Sequence, residues 1–146
     1  MSLKYQTEIQ INLPRNRVIE LFDNPDNLYH WMEGLTLFKH ISGDLGAAGA
    51  LSELHFKMGK RQMVMQEEIT EYNLPQSFTA IYRMQGVENT MLNTFVEHGE
   101  TTIWGIDVSF TFAGFGMKLM SKLMPGMFKK QTVKNMQAFK KFAESQ

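Results

Sequence analysis

The sequence predicts an α+β domain in which a curved antiparallel sheet of seven strands surrounds one long C-terminal helix. Three observations carry this prediction. Strand-like alternation recurs in short segments, two short helical segments interrupt it near the N-terminus, and a helical period occupies the end of the chain. The chain has 146 residues and no linker-like or low-complexity run, so we expect one domain spanning residues 1–146.

The first elements are a strand and two short helices. From Lys4 to Leu13 apolar and polar side chains alternate, which predicts a strand that ends at Pro14. Arg15 to Asp23 then carries apolar residues at three- and four-residue spacing and predicts a short helix. A second short helix is expected from Pro25, with Asn24 as its cap, because asparagine and proline favour the start of a helix.

Six further strands are predicted after the second helix, because short alternating segments are separated by turn residues at hairpin spacing. They run from Leu35 to Ile41, Leu51 to Met58, Arg61 to Tyr72, Ser77 to Met84, Val87 to Glu97 and Thr101 to Phe112. The last strand has one apolar and one mostly polar face. This pattern is typical of an antiparallel sheet with one face in water.

The chain ends in a helical period that persists to Ala143, and Pro125-Gly126 predicts a kink or break within it. Seven lysines lie between Ala113 and Gln146, against one acid, Glu144. One interpretation is a basic, methionine-rich stretch from Phe115 to Lys134 that contacts an anionic ligand or a membrane surface. We favour the other, a solvated lysine face over a buried stripe, because most amphipathic helices in globular proteins are of this kind.

Composition excludes several classes of function. Lys+Arg and Asp+Glu both number 15, which argues against a protein that binds nucleic acid by neutralising phosphates. The absence of cysteine excludes disulfides, thiolate metal sites and a cysteine nucleophile. No apolar run is long enough to span a membrane, and the N-terminus lacks the apolar segment of a signal peptide, so a cytoplasmic protein is expected.

The proportions of the predicted elements indicate a cavity. Seven strands at about 4.8 Å spacing form a sheet about 29 Å wide, whereas a helix with its side chains is about 10–12 Å across. The sheet must therefore curl around the helix, and we expect Gly105 to provide a bend or bulge that helps it do so. Inward positions rich in methionine suit either an adaptable apolar pocket or a solid core, and both interpretations stay open.

Several local strings, in this order along the chain, resemble the START-like, SRPBCC helix-grip superfamily, which includes polyketide cyclase/dehydrase and lipid-transport-like proteins. The strings are Asn12-Leu13-Pro14 before Val18 to Asp23, Asn24 to Leu28 with Trp31, Ile69 to Pro75, Leu123 to Phe128, and Phe139 to Glu144. The resemblance covers nearly the whole chain. It implies a helix-grip fold with a cavity between the curved sheet and the C-terminal helix that binds a small hydrophobic or amphipathic molecule.

The residues expected to bind this ligand share inward strand positions or the apolar stripe of the C-terminal segment. They are Phe56, Met63, Met65, Tyr82, Asn93, Trp104, Phe110, Met120, Met124 and Phe128. Two asparagines, Asn89 and Asn93, either add polar contacts to a ligand or satisfy a strand edge. Contact with a membrane is the less favoured alternative.

A catalytic alternative rests on Glu67 and Tyr82. By alternation Glu67 lies on the inward face of its strand, where burial raises the pKa of a carboxyl group and fits it for general acid or base work. Tyr82 would orient a substrate in a cyclase- or dehydratase-like reaction. The opposing interpretation is a strand bulge or a salt bridge at the rim. The four histidines lack metal-ligand spacing, so no metal or other cofactor is expected.

Overall fold

The computed structural model describes residues 2–114 and 125–146. It contains a seven-stranded antiparallel sheet with the order β1-β7-β6-β5-β4-β3-β2. The strands are β1 (Ser2–Ile11), β2 (Leu35–Ser42), β3 (Leu51–Met58), β4 (Arg61–Asn73), β5 (Ser77–Met84), β6 (Val87–His98) and β7 (Thr101–Phe112). The predicted class is confirmed, and each strand after the first lies within one residue of its predicted bounds.

Two short helices follow β1. Helix α1 (Arg15–Phe22) is followed by a 3-10 turn (Pro25–Asn27) and by α2 (Leu28–Trp31). Asn24 caps the turn as predicted, since its Oδ1 accepts a hydrogen bond from the Asp26 backbone N–H at 3.0 Å. The strand ends two residues before its predicted end at Leu13, because the chain turns at residues 12–14 to place Pro14 before α1.

The C-terminal helix α3 spans Pro125–Glu144. Thr132, Met136, Phe139 and Ala143 form its buried stripe, and this spacing is the predicted helical one. Proline is well tolerated in the first turn, where its missing N–H has no acceptor to lose. The kink or break predicted at Pro125-Gly126 stays a prediction, since the residues that precede Pro125 lie outside the described residues. Residues 115–124, which include Met120 and Met124, lie outside the described residues.

The largest core cluster joins the helices to one end of the sheet. Phe22 on α1 lies 5.0 Å from Phe95 and 5.6 Å from Trp104, measured between ring centroids. Phe139 on α3 lies 5.3 Å from Trp104 and Trp31 on α2 lies 5.4 Å from Phe139. Because these rings come from three helices and two strands, their packing fixes the position of every helix on the sheet. We call the face of the sheet that carries the helices the inner face.

Gly105 does not form the predicted bulge. Its strand, β7, pairs in continuous register with both β1 and β6 through Glu8 and Thr94. Register shifts occur instead between β2 and β3, and between β4 and β5 at Ile69/Glu71. A Cβ atom on Gly105 would lie 3.0 Å from Thr94 Oγ1, so the glycine accommodates a cross-strand neighbour on the outer face.

Candidate functional site

Four polar side chains form a row across the inner face of the sheet. In register, Ser52 on β3 pairs with Glu67 on β4, Glu67 with Tyr82 on β5, and Tyr82 with Asn89 on β6. Their exposed fractions are 4%, 7%, 8% and 8% respectively. Directly paired residues of an antiparallel sheet point to the same face at about 4.5–5.5 Å, so the four side chains are neighbours. We call this set the polar row.

The polar row lies within an otherwise apolar inner face. One side of it is formed by Leu54, Met65 and Met84, and the other by Ile69, Ala80 and Met91. Several inward side chains are nevertheless only partly buried. These are Phe56, Met58, Met63, Met65, Met84, Met91 and Phe110. Partial exposure of these inward side chains indicates that the described residues do not fully cover this part of the inner face.

The electrostatics of Glu67 favour its uncharged form. Burial raises the pKa of the Glu67 carboxyl above its ordinary value, and a hydrogen-bonding contact with Tyr82 offsets only part of this shift. Among residues 2–114 and 125–146, no salt bridge includes Glu67. Burial, and then the neighbouring Glu67 carboxyl, raise the pKa of the Tyr82 hydroxyl well above its ordinary value. Glu67 therefore has the inward, buried position that was predicted for it.

Asn89 ends the polar row with an unsatisfied acceptor. Its Oδ1 is inaccessible to solvent and has no hydrogen-bond partner in the described part of the chain. An acceptor left in this state costs about 1–3 kcal/mol relative to one that is hydrogen-bonded. A side chain that bears this cost in the folded protein is a candidate for contact with a ligand.

One member of the row, Ser52, was not singled out by the alternation. Ser52 lies two positions before the inward Leu54, so alternation places it on the inner face. Its pairing with Glu67 in the structure is what makes it part of the candidate site. His40 on β2 pairs with Ser52 at the open edge of the sheet. Its ring is exposed, and its Nε2 lies 2.7 Å from the Gly43 carbonyl oxygen.

A comparison with protein-family models matches residues 2–144 to the family described as polyketide cyclase/dehydrase and lipid transport. The chain belongs to this family. Its members bind small hydrophobic ligands. A comparison with curated protein sequences gives no significant match.

Solved structures show that this family member has the helix-grip fold. Ara h 8.0201 superposes with a TM-score of 0.80 at 9% identity, covering 100% of both chains. The Zhui aromatase/cyclase from Streptomyces sp. R1128 gives 0.78 at 11% identity, covering 99% of this chain and 94% of that one. Norcoclaurine synthase from Thalictrum flavum, in complex with dopamine and hydroxybenzaldehyde, gives 0.70 at 11%, covering 99% and 88%. At these sequence identities, the structural similarity shows a shared fold and nothing about a shared activity.

The other predicted ligand-binding residues of this family member divide between the open part of the inner face and the core. Phe56, Met63, Met65 and Phe110 lie inward and half-buried, near the polar row. Phe128 on α3 packs on Phe110, with ring centroids 4.9 Å apart. These residues surround the part of the inner face that the described residues leave partly exposed.

Asn93 and Trp104 are held in the core. Trp104 is 1% exposed and its Nε1 donates a hydrogen bond to Asn93 Oδ1 at 3.1 Å. Asn93 Nδ2 donates in turn to the Phe78 carbonyl oxygen at 3.4 Å. Both residues are therefore already engaged with protein partners, in contrast to Asn89.

Two further features of the described residues bear on function. A shallow depression of about 390 Å³ lies on the outer face beside Gly105, lined by Gln6, Glu8, Thr94 and Asp107, so it lies on the opposite face of the sheet from the polar row. Within residues 2–114 and 125–146, no three His, Asp or Glu side chains are grouped to hold a metal ion, and no helix has the length and hydropathy needed to span a membrane.

Proposed function

We propose that the protein binds a small hydrophobic or amphipathic molecule between the inner face of the sheet and the C-terminal helix. The polar row of Ser52, Glu67, Tyr82 and Asn89 carries this proposal, because a sheet face that served only as core would not need a buried carboxyl group with a raised pKa and an unsatisfied amide oxygen at its centre. Half-buried apolar side chains around the row supply the area that an apolar ligand would cover.

Native mass spectrometry of the purified protein, followed by denaturation and identification of any released compound, tests this proposal directly. We expect a retained lipid, fatty alcohol or aromatic compound. Thermal shifts with a panel of hydrophobic probes provide a second measurement, since a ligand that binds only the folded state raises the melting temperature. An empty protein that no probe stabilises would contradict the proposal.

Matched substitutions on β4 separate binding at the inner face from adsorption elsewhere. Met63 points inward and is half-buried, whereas its neighbour Val64 points outward and is 48% exposed. Met63→Trp should fill part of the site and weaken probe binding, and Val64→Trp should leave it unchanged. Equal loss in both variants would show that the probes bind nonspecifically.

A second candidate is a cyclase- or dehydratase-like enzyme that uses the same site. The observation that favours it is the contact between Glu67 and Tyr82 on the buried inner face, because burial raises the pKa of the Glu67 carboxyl and so suits it to donate a proton to a leaving hydroxyl group. The compound recovered from the protein, and its hydroxylated analogues, would be incubated with it and followed for loss of water or ring closure. Glu67→Gln should abolish turnover and retain binding. If the wild-type protein converts none of these compounds, the enzyme hypothesis fails and ligand binding is the supported function.

A further inference from the structure

The polar row provides a site for a hydrogen-bond donor from outside the chain. Asn89 Oδ1 lacks a donor among the described residues, and Tyr82, its direct neighbour in register, has its hydroxyl in contact with Glu67. The amide torsion of asparagine is soft, and the inward side chains Met84 and Met91 beside it are only half-buried. A hydroxyl or N–H group placed there would satisfy the acceptor.

The described residues around the row offer no positive charge that would compensate an anionic ligand. The inward neighbours of Glu67 are Met65 and Ile69 on its own strand, Ser52 and Leu54 on β3, and Ala80 and Tyr82 on β5, and none is basic. Arg83 lies on the outer face, where its guanidinium binds Glu68 at 2.8 Å and Glu88 at 3.1 Å. His40 is in register with the row, but Ser52 separates it from Glu67 and its ring is exposed.

We propose that the ligand presents an uncharged hydroxyl group to Asn89 and that the polar row discriminates against ligands with an anionic head group. This inference rests on the proposed binding function and adds the chemistry of the head group to it. A hydroxyl group satisfies the unpaired amide oxygen, whereas a carboxylate offers no donor to it and would lie unpaired near a buried acid. Alcohols and phenols should therefore bind in preference to fatty acids and other carboxylates.

Three aromatic probes of similar size test the proposal at pH 7. They are 2-naphthol, which is an uncharged donor, 2-methoxynaphthalene, which keeps the oxygen but has no donor, and 2-naphthoate, which is an anion. By isothermal titration calorimetry we expect 2-naphthol to bind about three- to tenfold more tightly than 2-methoxynaphthalene. This ratio of affinities corresponds to the usual net contribution of one hydrogen bond. We expect 2-naphthoate to bind at least about tenfold more weakly than 2-naphthol.

Substitutions in the polar row test whether its residues cause these differences in probe affinity. Asn89→Leu should remove the advantage of 2-naphthol over 2-methoxynaphthalene, while Thr90→Val, the adjacent outward residue on β6, should preserve it. Glu67→Gln should reduce the discrimination against 2-naphthoate, because it removes an ionisable acid from the row, and the outward Glu68→Gln should not. Unfolding midpoints verify that each variant is folded at the temperature of the titration.

The possible outcomes separate this inference from the proposed function. If the probes bind but 2-naphthoate equals 2-naphthol, or if Asn89→Leu retains the 2-naphthol preference, the head-group inference is overturned and the binding function stands. If none of the probes binds and native mass spectrometry finds an empty protein, the binding function itself fails, and the inference fails with it.

Discussion

The indole Nε1 of Trp104 donates a hydrogen bond to Oδ1 of Asn93 at 3.1 Å within the sheet, where both side chains are at least 95% buried. Removing the acceptor leaves a buried N–H group unpaired. We expect Asn93→Leu to lower the free energy of unfolding by about 1–3 kcal/mol, measured by urea denaturation. A stability equal to that of the wild type would mean that the contact contributes nothing.

Asn89→Leu should have the opposite effect on the ligand-free protein. Asn89 lies on the same strand and face as Asn93, but its Oδ1 has no partner among the described residues, so leucine removes an unsatisfied acceptor. We expect the free energy of unfolding to stay the same or to rise by about 1 kcal/mol. A loss as large as that of Asn93→Leu would show that the Asn89 oxygen is hydrogen-bonded in solution.

The buried position of Glu67 predicts a dependence of stability on pH. Because burial raises its pKa in the folded state, the folded protein binds this proton more tightly than the unfolded chain does. The contribution of Glu67 to the free energy of unfolding should therefore be lost as the pH rises from about 4.5, its unfolded value, through the folded pKa. Urea denaturation between pH 4 and pH 8 should show the stability of Glu67→Gln relative to the wild type increasing with pH.

The control for this experiment is Glu68→Gln, the adjacent outward residue, which forms a salt bridge with Arg83. Its stability relative to the wild type should show no comparable increase with pH. Parallel pH profiles for the two variants would contradict a raised pKa at Glu67.

Phe139 packs the C-terminal helix α3 against the aromatic core. It is 0% exposed and packs against Phe22, Trp31 and Trp104. Phe139→Ala should cost about 3–5 kcal/mol of unfolding free energy, since it leaves a cavity among rings from several elements. Gln137→Ala, at an exposed position on the same helix, should change stability by less than about 0.5 kcal/mol.

Gly105 and Thr94 should be energetically coupled across β6 and β7. A Cβ atom at position 105 would approach Thr94 Oγ1 to 3.0 Å, so Gly105→Ala gains strand propensity but crowds this oxygen. In a Thr94→Ala background the crowding is absent, and Gly105→Ala should stabilise the protein by about 0.5–1 kcal/mol. A double-mutant cycle of urea denaturation curves measures the coupling, and strict additivity would show that Thr94 adjusts without cost.

Local patterns predicted most of the fold because they depend on short stretches of chain. Alternation identified the strands and the inward positions of Glu67 and Tyr82, and the helical period identified the stripe from Thr132 to Ala143. Gly105 illustrates the limit of this reasoning. Glycine in a strand is compatible with a bulge, a bend or a close neighbour, and the position of Thr94 on the adjacent strand selected the last of these.

The sequence by itself determined the order of elements, the face to which each strand residue points and the buried stripe of the last helix. Each of these follows from a period of two or 3.6 residues. Only the tertiary structure decided that Ser52, Glu67, Tyr82 and Asn89 lie side by side, because cross-strand register depends on hairpin geometry and bulges. It also distinguished Asn93 from Asn89, since Trp104 lies within reach of the first and no described donor lies within reach of the second.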